Sequence, residues 1–169
     1  MSIRFGILTI SDRSAQGERM DLSGPAVLQI IQNNGWNCVK QDIVADESSE
    51  IQRILIEWSD SGILDVILTS GGTGFAPRDI TPEATNAVIN RPTPGLVEAM
   101  RQNSFAITPH AMLSRAVAGI RKQTLIVNLP GSPKGAVENF ETILPVLDHA
   151  VQLLQDDPSA EKGHNKFNS

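Results

Sequence analysis

Four short stretches, residues 5–10, 38–44, 65–69 and 124–129, are dense in β-branched or other apolar side chains and read as strands. Between them the apolar positions recur with a helical period. Ile51, Ile54, Leu55 and Trp58 fall at i, i+3, i+4 and i+7, one face of an amphipathic helix. Val27, Ile30 and Ile31 mark a shorter helix closed by Asn34-Gly35. Val137, Phe140, Leu144, Leu147, Val151 and Leu154 form a longer stripe, in which Pro145 is expected to kink or split the helix. A capping hydroxyl ahead of an early proline marks four helix starts: Ser23-Gly24-Pro25, Thr81-Pro82, Thr93-Pro94 and Ser132-Pro133.

Strand and helix alternate, so the pattern predicts an α/β fold: a three-layer sandwich with a mostly parallel central sheet and helices on both faces. Residues 1–155 are expected to form one domain, and 156–169, which lack periodicity and hold one large apolar residue (Phe167), a mobile tail. A chain of 169 residues is long enough to bury one sizeable core.

Composition narrows the function classes. The formal charge of -5, with no lysine or arginine run, argues against a general nucleic-acid binder. The absence of tyrosine leaves few stacking surfaces for single strands. No stretch reaches the ~20 apolar residues of a membrane span, and the apolar N-terminus meets Ser11-Asp12-Arg13 rather than a cleavage site. A cytoplasmic protein is expected. Cys38, the one cysteine, reads as a buried strand thiol, and His110, His149 and His164 have no metal-ligand spacing. Trp36 and Trp58 are expected in the core.

Each strand runs into residues suited to holding a ligand: Ser11-Asp12, Ala45-Asp46, Ser70-Gly71-Gly72-Thr73-Gly74 and Pro130-Gly131-Ser132-Pro133. In open α/β sheets ligands bind beyond the carboxyl ends of the strands, so parallel strands would gather these loops on one edge. Gly71 to Gly74 can present backbone N–H groups to an anion beside the Ser70 and Thr73 hydroxyls. No Gly-Lys-Ser/Thr follows, and the third glycine of a dinucleotide fingerprint is missing. Asp46 and Asp79 could each cap a helix. Placed together beside an anion loop, they would instead suit Mg²⁺ bound by carboxylates and substrate phosphate. Arg78 could offset charge there or lie solvated at the surface. The stretch 110–123 reads as an amphipathic helix with a basic end, or as an anchor offering Ser114 and Arg115 to a polar second substrate.

Taken together and in order, "ISDR", "SGP", "TSGGTGFAPRDITPEAT", "PGLVEAMRQ" and "AMLSRAVAGIRKQTLIVNLPGSP" resemble the Mog/MoaB family of molybdenum-cofactor biosynthesis over residues 4–155. The resemblance implies a homotrimer with molybdopterin adenylyltransferase activity, which moves AMP from Mg²⁺-ATP to the terminal phosphate of molybdopterin. The family's two functional aspartates match Asp46 and Asp79, and its nucleotide loop matches Gly71 to Gly74. Its pterin-side Ser-Arg matches Ser114 and Arg115; assignment of Pro130, Gly131 and Ser132 to the nucleotide is looser. Contact with other proteins of cofactor synthesis is a further implication. The family also holds non-catalytic pterin-binding relatives, some without the Arg-Asp-Ile/Val-Thr-Pro form that this chain keeps. A competence-damage type of domain with the same loop is a more distant likeness.

Overall fold

The structure, a computed structural model, describes residues 2–156. The tail expected over 156–169 therefore lies, beyond its first residue, outside the described residues, as does His164. The four expected strands are present as β1 (Arg4–Ile10), β2 (Asn37–Val44), β3 (Val66–Ser70) and β6 (Thr124–Leu129). Among the described residues they join β4 (Arg91–Pro92) and β5 (Ala118–Arg121) in one sheet of order β2-β1-β3-β6-β5-β4. The first four are mutually parallel, whereas β5 runs antiparallel to β6 and β4 antiparallel to β5.

Helices α1 (Asp12–Ala15), α2 (Ser23–Asn33), α3 (Ser48–Asp60), α4 (Thr81–Val88), α5 (Pro94–Phe105) and α6 (Pro133–Leu154) complete the fold. The strand period of two divides the core into layers. Phe5, Ile7, Val66, Leu68, Leu125 and Val127 point to one face, where Val27 and Ile31 of α2, Met100 of α5 and Phe140 of α6 cover them. Leu8, Ile10, Ile67 and Ile126 point to the other, against Ile51, Leu55 and Trp58 of α3 and Ala84 and Val88 of α4. Both tryptophans are core residues, as expected. Gly6 leaves room for this packing, since a Cβ there would sit 2.8 Å from Trp58 and Leu64 side-chain atoms.

Several local expectations are overturned. The stretch 110–123 is not an amphipathic helix: a 3₁₀ turn over Pro109–Leu113 gives way to extended chain and then to β5. Gly119 decides the matter, because a Cβ there would lie 2.9 Å from the Arg91 carbonyl oxygen, so the glycine lets β4 and β5 approach. Pro145 does not split α6, which runs unbroken through it. The proline lies on the exposed side of the helix, where water can satisfy the carbonyl it leaves unpaired. Of the four capping hydroxyls only Ser132 accepts a helix amide, that of Gly135. The α2 terminus is held by Asp21, which accepts hydrogen bonds from the Ser23 and Gly24 amides. Thr81 donates to the Gly71 carbonyl, and Thr93 makes no side-chain cap. Cys38 is half-buried, because β2 is an edge strand with only Val44 fully buried; burial still pushes its thiol pKa up.

One polar side chain ties the sheet to the helix layer. Asn128 of β6 is fully buried; its amide donates to the hydroxyls of Thr69 and Thr85, and its carbonyl accepts the Val117 N–H. Asn128→Ala should cost about 2–4 kcal/mol in urea denaturation, given about 1–3 kcal/mol for each buried group left without a partner. A loss under about 1 kcal/mol would mean that water replaces the amide.

Candidate active site

Strand β1 is followed by α2 and β2 on one side, and the chain then crosses to β3 on the other, so strand order reverses at β1. A crevice opens at such a reversal. Here it is a cavity of about 340 Å³ lined by the ends of β1 and β3 and by the loops after β1, β2, β3 and β6. Thr9, Asp46, Ser70 to Gly72, Asp79 and Ser132 all border it, so the four loops do share one edge.

The glycine loop has a split task. Gly71 (φ 108°) and Gly72 (φ 63°) adopt backbone conformations that L side chains rarely take. A Cβ on Gly71 would meet the Ile10 carbonyl oxygen at 2.2 Å, and one on Gly72 would meet Thr81 Oγ1 at 2.3 Å. The Gly71 amide donates to the Leu129 carbonyl, and Ser70 Oγ to the Pro130 carbonyl at 2.9 Å, so both residues tie β3 to the loop after β6. Among the described residues the amides of Gly72, Thr73 and Gly74 donate to nothing, nor do those of Gly131 and Ser132. Those five donors are available to an anion, with the N-terminus of the 22-residue α6 behind the last two.

Neither aspartate caps the helix that follows it in the chain. Asp46 Oδ2 accepts the Asp12 amide at 2.9 Å, and the Asp46 amide donates to Asp12 Oδ1 at 3.0 Å, a reciprocal pair joining the loops after β1 and β2. Asp79 Oδ2 accepts the Ala76 amide. Each keeps its Oδ1 without a hydrogen bond among the described residues. The glycine loop passes between them: a Cβ on Gly72 would lie 3.0 Å from Asp46 Oδ1, and one on Gly74 2.9 Å from Asp79 Oδ2. Burial holds the Asp46 carboxyl above its ordinary pKa, and the Asp12 and Asp79 charges add to the rise. Asp12 lies below the usual carboxylate range because Arg78 bonds it through a fork, Nε to Oδ2 at 3.0 Å and Nη2 to Oδ1 at 2.9 Å. Arg78 also reaches Glu47 at 2.8 Å, so it is paired rather than solvated alone.

Among the described residues no cluster of three or more His, Cys, Asp or Glu could hold a metal by itself. Two carboxylates with free oxygens fit a different mode, in which Mg²⁺ takes one or two protein carboxylates and completes its shell with phosphate and water. The donor set is compatible with Mg²⁺ arriving with a phosphorylated ligand.

A second cavity, about 550 Å³, opens on the far side of the glycine loop, bordered by Thr73, Gly74, Ser104, His110, Ser114 and Lys134 among others. Ser132 borders both cavities. Ser114 therefore lies in the second cavity, whereas Arg115 is turned into the wall between the two. Its amide donates to the Thr73 carbonyl, its Nε to the Gly74 carbonyl at 2.7 Å, and its terminal nitrogens to the Asp79 carbonyl and the Glu83 carboxylate. The guanidinium braces the loop that carries Asp79.

Sequence reading missed Asp21. Its carboxylate accepts Thr9 Oγ1 at 2.7 Å as well as the α2 amides, fixing the floor of the first cavity. An aspartate two residues ahead of a helix start was the available signal.

Comparison with known proteins shows what the chain as a whole is similar to. The family profile described as "Probable molybdopterin binding domain" matches residues 6–149. The chain is 46% identical over 165 residues to gephyrin of Dictyostelium discoideum, covering 92% of this chain but only 23% of that protein's length. It is 43% identical to molybdopterin adenylyltransferase of Helicobacter pylori, over 90% of this chain and 88% of that one. The crystal structure of the molybdopterin biosynthesis enzyme MoaB from Thermus thermophilus superposes with a TM-score of 0.87 at 49% identity, covering 92% of this chain and 98% of that chain.

Because folding raises the Asp46 pKa, ionising this carboxyl costs the folded state. The associated stabilisation is complete below the unfolded value and is lost as pH rises through the raised one. Asp46→Asn keeps an acceptor for the Asp12 amide and removes that cost. Its melting temperature relative to wild type should therefore climb as pH rises above about 4, the ordinary aspartate value, and a constant difference in thermal scans would count against the strained carboxylate.

Proposed function

The chain belongs to the molybdopterin-binding domain family of molybdenum-cofactor biosynthesis, and on that footing we propose that it is a molybdopterin adenylyltransferase. The observation that carries the reading is the pair of adjoining cavities divided by the glycine loop, one bordered by free amides and two carboxylates, the other by Ser114. Transfer between two bound substrates requires two such sites with a shared border.

In this reading the first cavity takes the ATP phosphates. The free amides of Gly72, Gly131 and Ser132 border it and receive them, while Ser70, Gly71 and Pro130 hold the loops in place; Thr73 and Gly74, which the family resemblance also assigns to the nucleotide, border the second cavity and meet it only across the loop. Asp46 and Asp79 hold Mg²⁺, which when bound offsets the negative charge of the phosphates. The second cavity takes molybdopterin, with Ser114 beside it and Arg115 fixing the dividing wall. A terminal phosphate oxygen of the pterin forms a bond to the α-phosphorus. The bond from that phosphorus to the β-bridging oxygen breaks, and its electron pair leaves with pyrophosphate. The chain needs no nucleophile of its own for this; its contribution is orientation and a fixed set of donors.

The reading also takes residues 1–155 as a single Mog/MoaB-like domain. It carries from the family resemblance a cytoplasmic homotrimer that meets other proteins of cofactor synthesis. Among the described residues no helix is long and apolar enough to cross a membrane.

Incubation of the purified chain with molybdopterin and Mg²⁺-ATP should yield adenylylated pterin by mass spectrometry together with pyrophosphate. Asp79→Asn should lower that yield by about 10²-fold or more, the usual loss when a group stabilising developing charge is removed, with pterin affinity close to wild type. Pterin binding without any pyrophosphate from the wild-type chain would instead identify a non-catalytic binding module. Pyrophosphate or phosphate release independent of pterin would favour a nucleotide hydrolase. Gly72→Val is unsuited as a probe of nucleotide binding, since its Cβ would collide with Thr81 and strain the backbone.

A further inference from the structure

Asp46 and Asp79 are like charges on one cavity, and the electrostatic effect of Asp79 on Asp46 is repulsive. Left to themselves, loops on separate strands would relax apart. A continuous chain of hydrogen bonds opposes this. Asp46 is pinned to Asp12 by two reciprocal bonds at 2.9 and 3.0 Å. Asp12 is gripped by the Arg78 fork at 2.9 and 3.0 Å, and Arg78 is the residue immediately before Asp79. Both oxygens of Asp12 are thus occupied, Oδ1 twice, and all of its partners lie on the loops that carry the two cavity aspartates.

The geometry points to Asp12 and Arg78 as positioning residues: an ionic strut that fixes the separation of Asp46 and Asp79 and so presets the carboxylate pair for a divalent cation. This rests on the Mg²⁺ reading above. Neither residue has to touch substrate. Asp12 acts through the Asp46 backbone and carboxylate, and Arg78 through the loop that bears Asp79. The positive charge of Arg78 favours an ionised Asp46 while the negative charge of Asp12 opposes it, so the strut works against repulsion through its hydrogen bonds rather than through its charge. Planar fork geometry makes arginine specific for this role, as lysine can match the charge but not the paired bonds. Groups that orient metal ligands in this way commonly change metal affinity by 10–100-fold.

The test is a Mn²⁺ titration followed by electron paramagnetic resonance, in the presence of ATP and without pterin, on wild type, Asp12→Asn, Arg78→Gln, Arg78→Lys and the double variant Asp12→Asn/Arg78→Gln. Asp12→Asn and Arg78→Gln should each weaken Mn²⁺ binding about tenfold. Arg78→Lys should recover part of the loss. The double variant should be scarcely worse than either single one, because both cut the same strut. In the transfer assay the metal concentration at half-maximal rate should rise in the same order, with kcat near wild type once metal saturates. Mn²⁺ affinity within about twofold of wild type in the Arg78 variants, with unchanged melting temperature, overturns the strut. So does a kcat loss that saturating metal fails to restore. Arg78 is exposed, so its variants decide the question even if Asp12→Asn fails to fold. A wild-type chain that binds Mn²⁺-ATP yet never adenylylates pterin overturns the transferase reading alone. A wild type that binds no Mn²⁺ overturns both the metal site and the strut.

Discussion

Two carboxylates must stay close and charged beside a loop that itself attracts anions, and much of the surrounding structure answers that constraint. Burial and the neighbouring Asp12 and Asp79 charges disfavour the ionised form of Asp46. Opposing them are the Asp12 amide, the guanidinium of Arg78, and the rigidity of strands that cannot drift because both faces of the sheet are packed. The site is held in an electrostatically costly arrangement by a core that does not share in the cost.

That division explains where polar side chains are buried. Asn128, Thr69, Thr85, Ser70 and Thr81 sit at the carboxyl ends of β3 and β6 or on α4, all at 1% exposure or less. They carry side-chain hydrogen bonds between elements rather than toward solvent. Moving toward the opposite end, the same strands present Val66, Ile67, Leu125 and Ile126 to the two apolar layers. The sheet therefore changes along its length from a packed core to a satisfied polar scaffold, and the cavities open where the scaffold ends. Arg115 extends the scaffold one step further, crossing from the chain before β5 to hold the Gly74 and Asp79 carbonyls.

The two cavities follow from topology combined with glycine. Strand order reverses at β1, which opens the first crevice, and the bend at Gly71-Gly72 lets the loop after β3 cross its mouth without filling it. Any side chain at those two positions would occupy space already taken by Ile10 or Thr81. The glycines thus serve folding and access together. This is why a single substitution there confounds the two.

The sequence by itself determined the layers, the parallel strands and the edge on which the loops gather. Those features follow from local periodicity, and an alternation of strand and helix admits few ways of burying its apolar faces. It also marked Asp46, Asp79 and the glycine loop, since their residue types are poor at filling structure. Only tertiary structure decided the remainder. The stretch around Ser114 and Arg115 became a turn and an added strand, because Gly119 could press against Arg91, a contact absent from local pattern. Asp21 entered the site, Ser70 and Gly71 were drawn into holding it, and Arg78 found Asp12 sixty-six residues away. Hydrogen-bond partners of that separation leave no periodic trace, since what selects them is the geometry of loops brought together by packing that happens elsewhere.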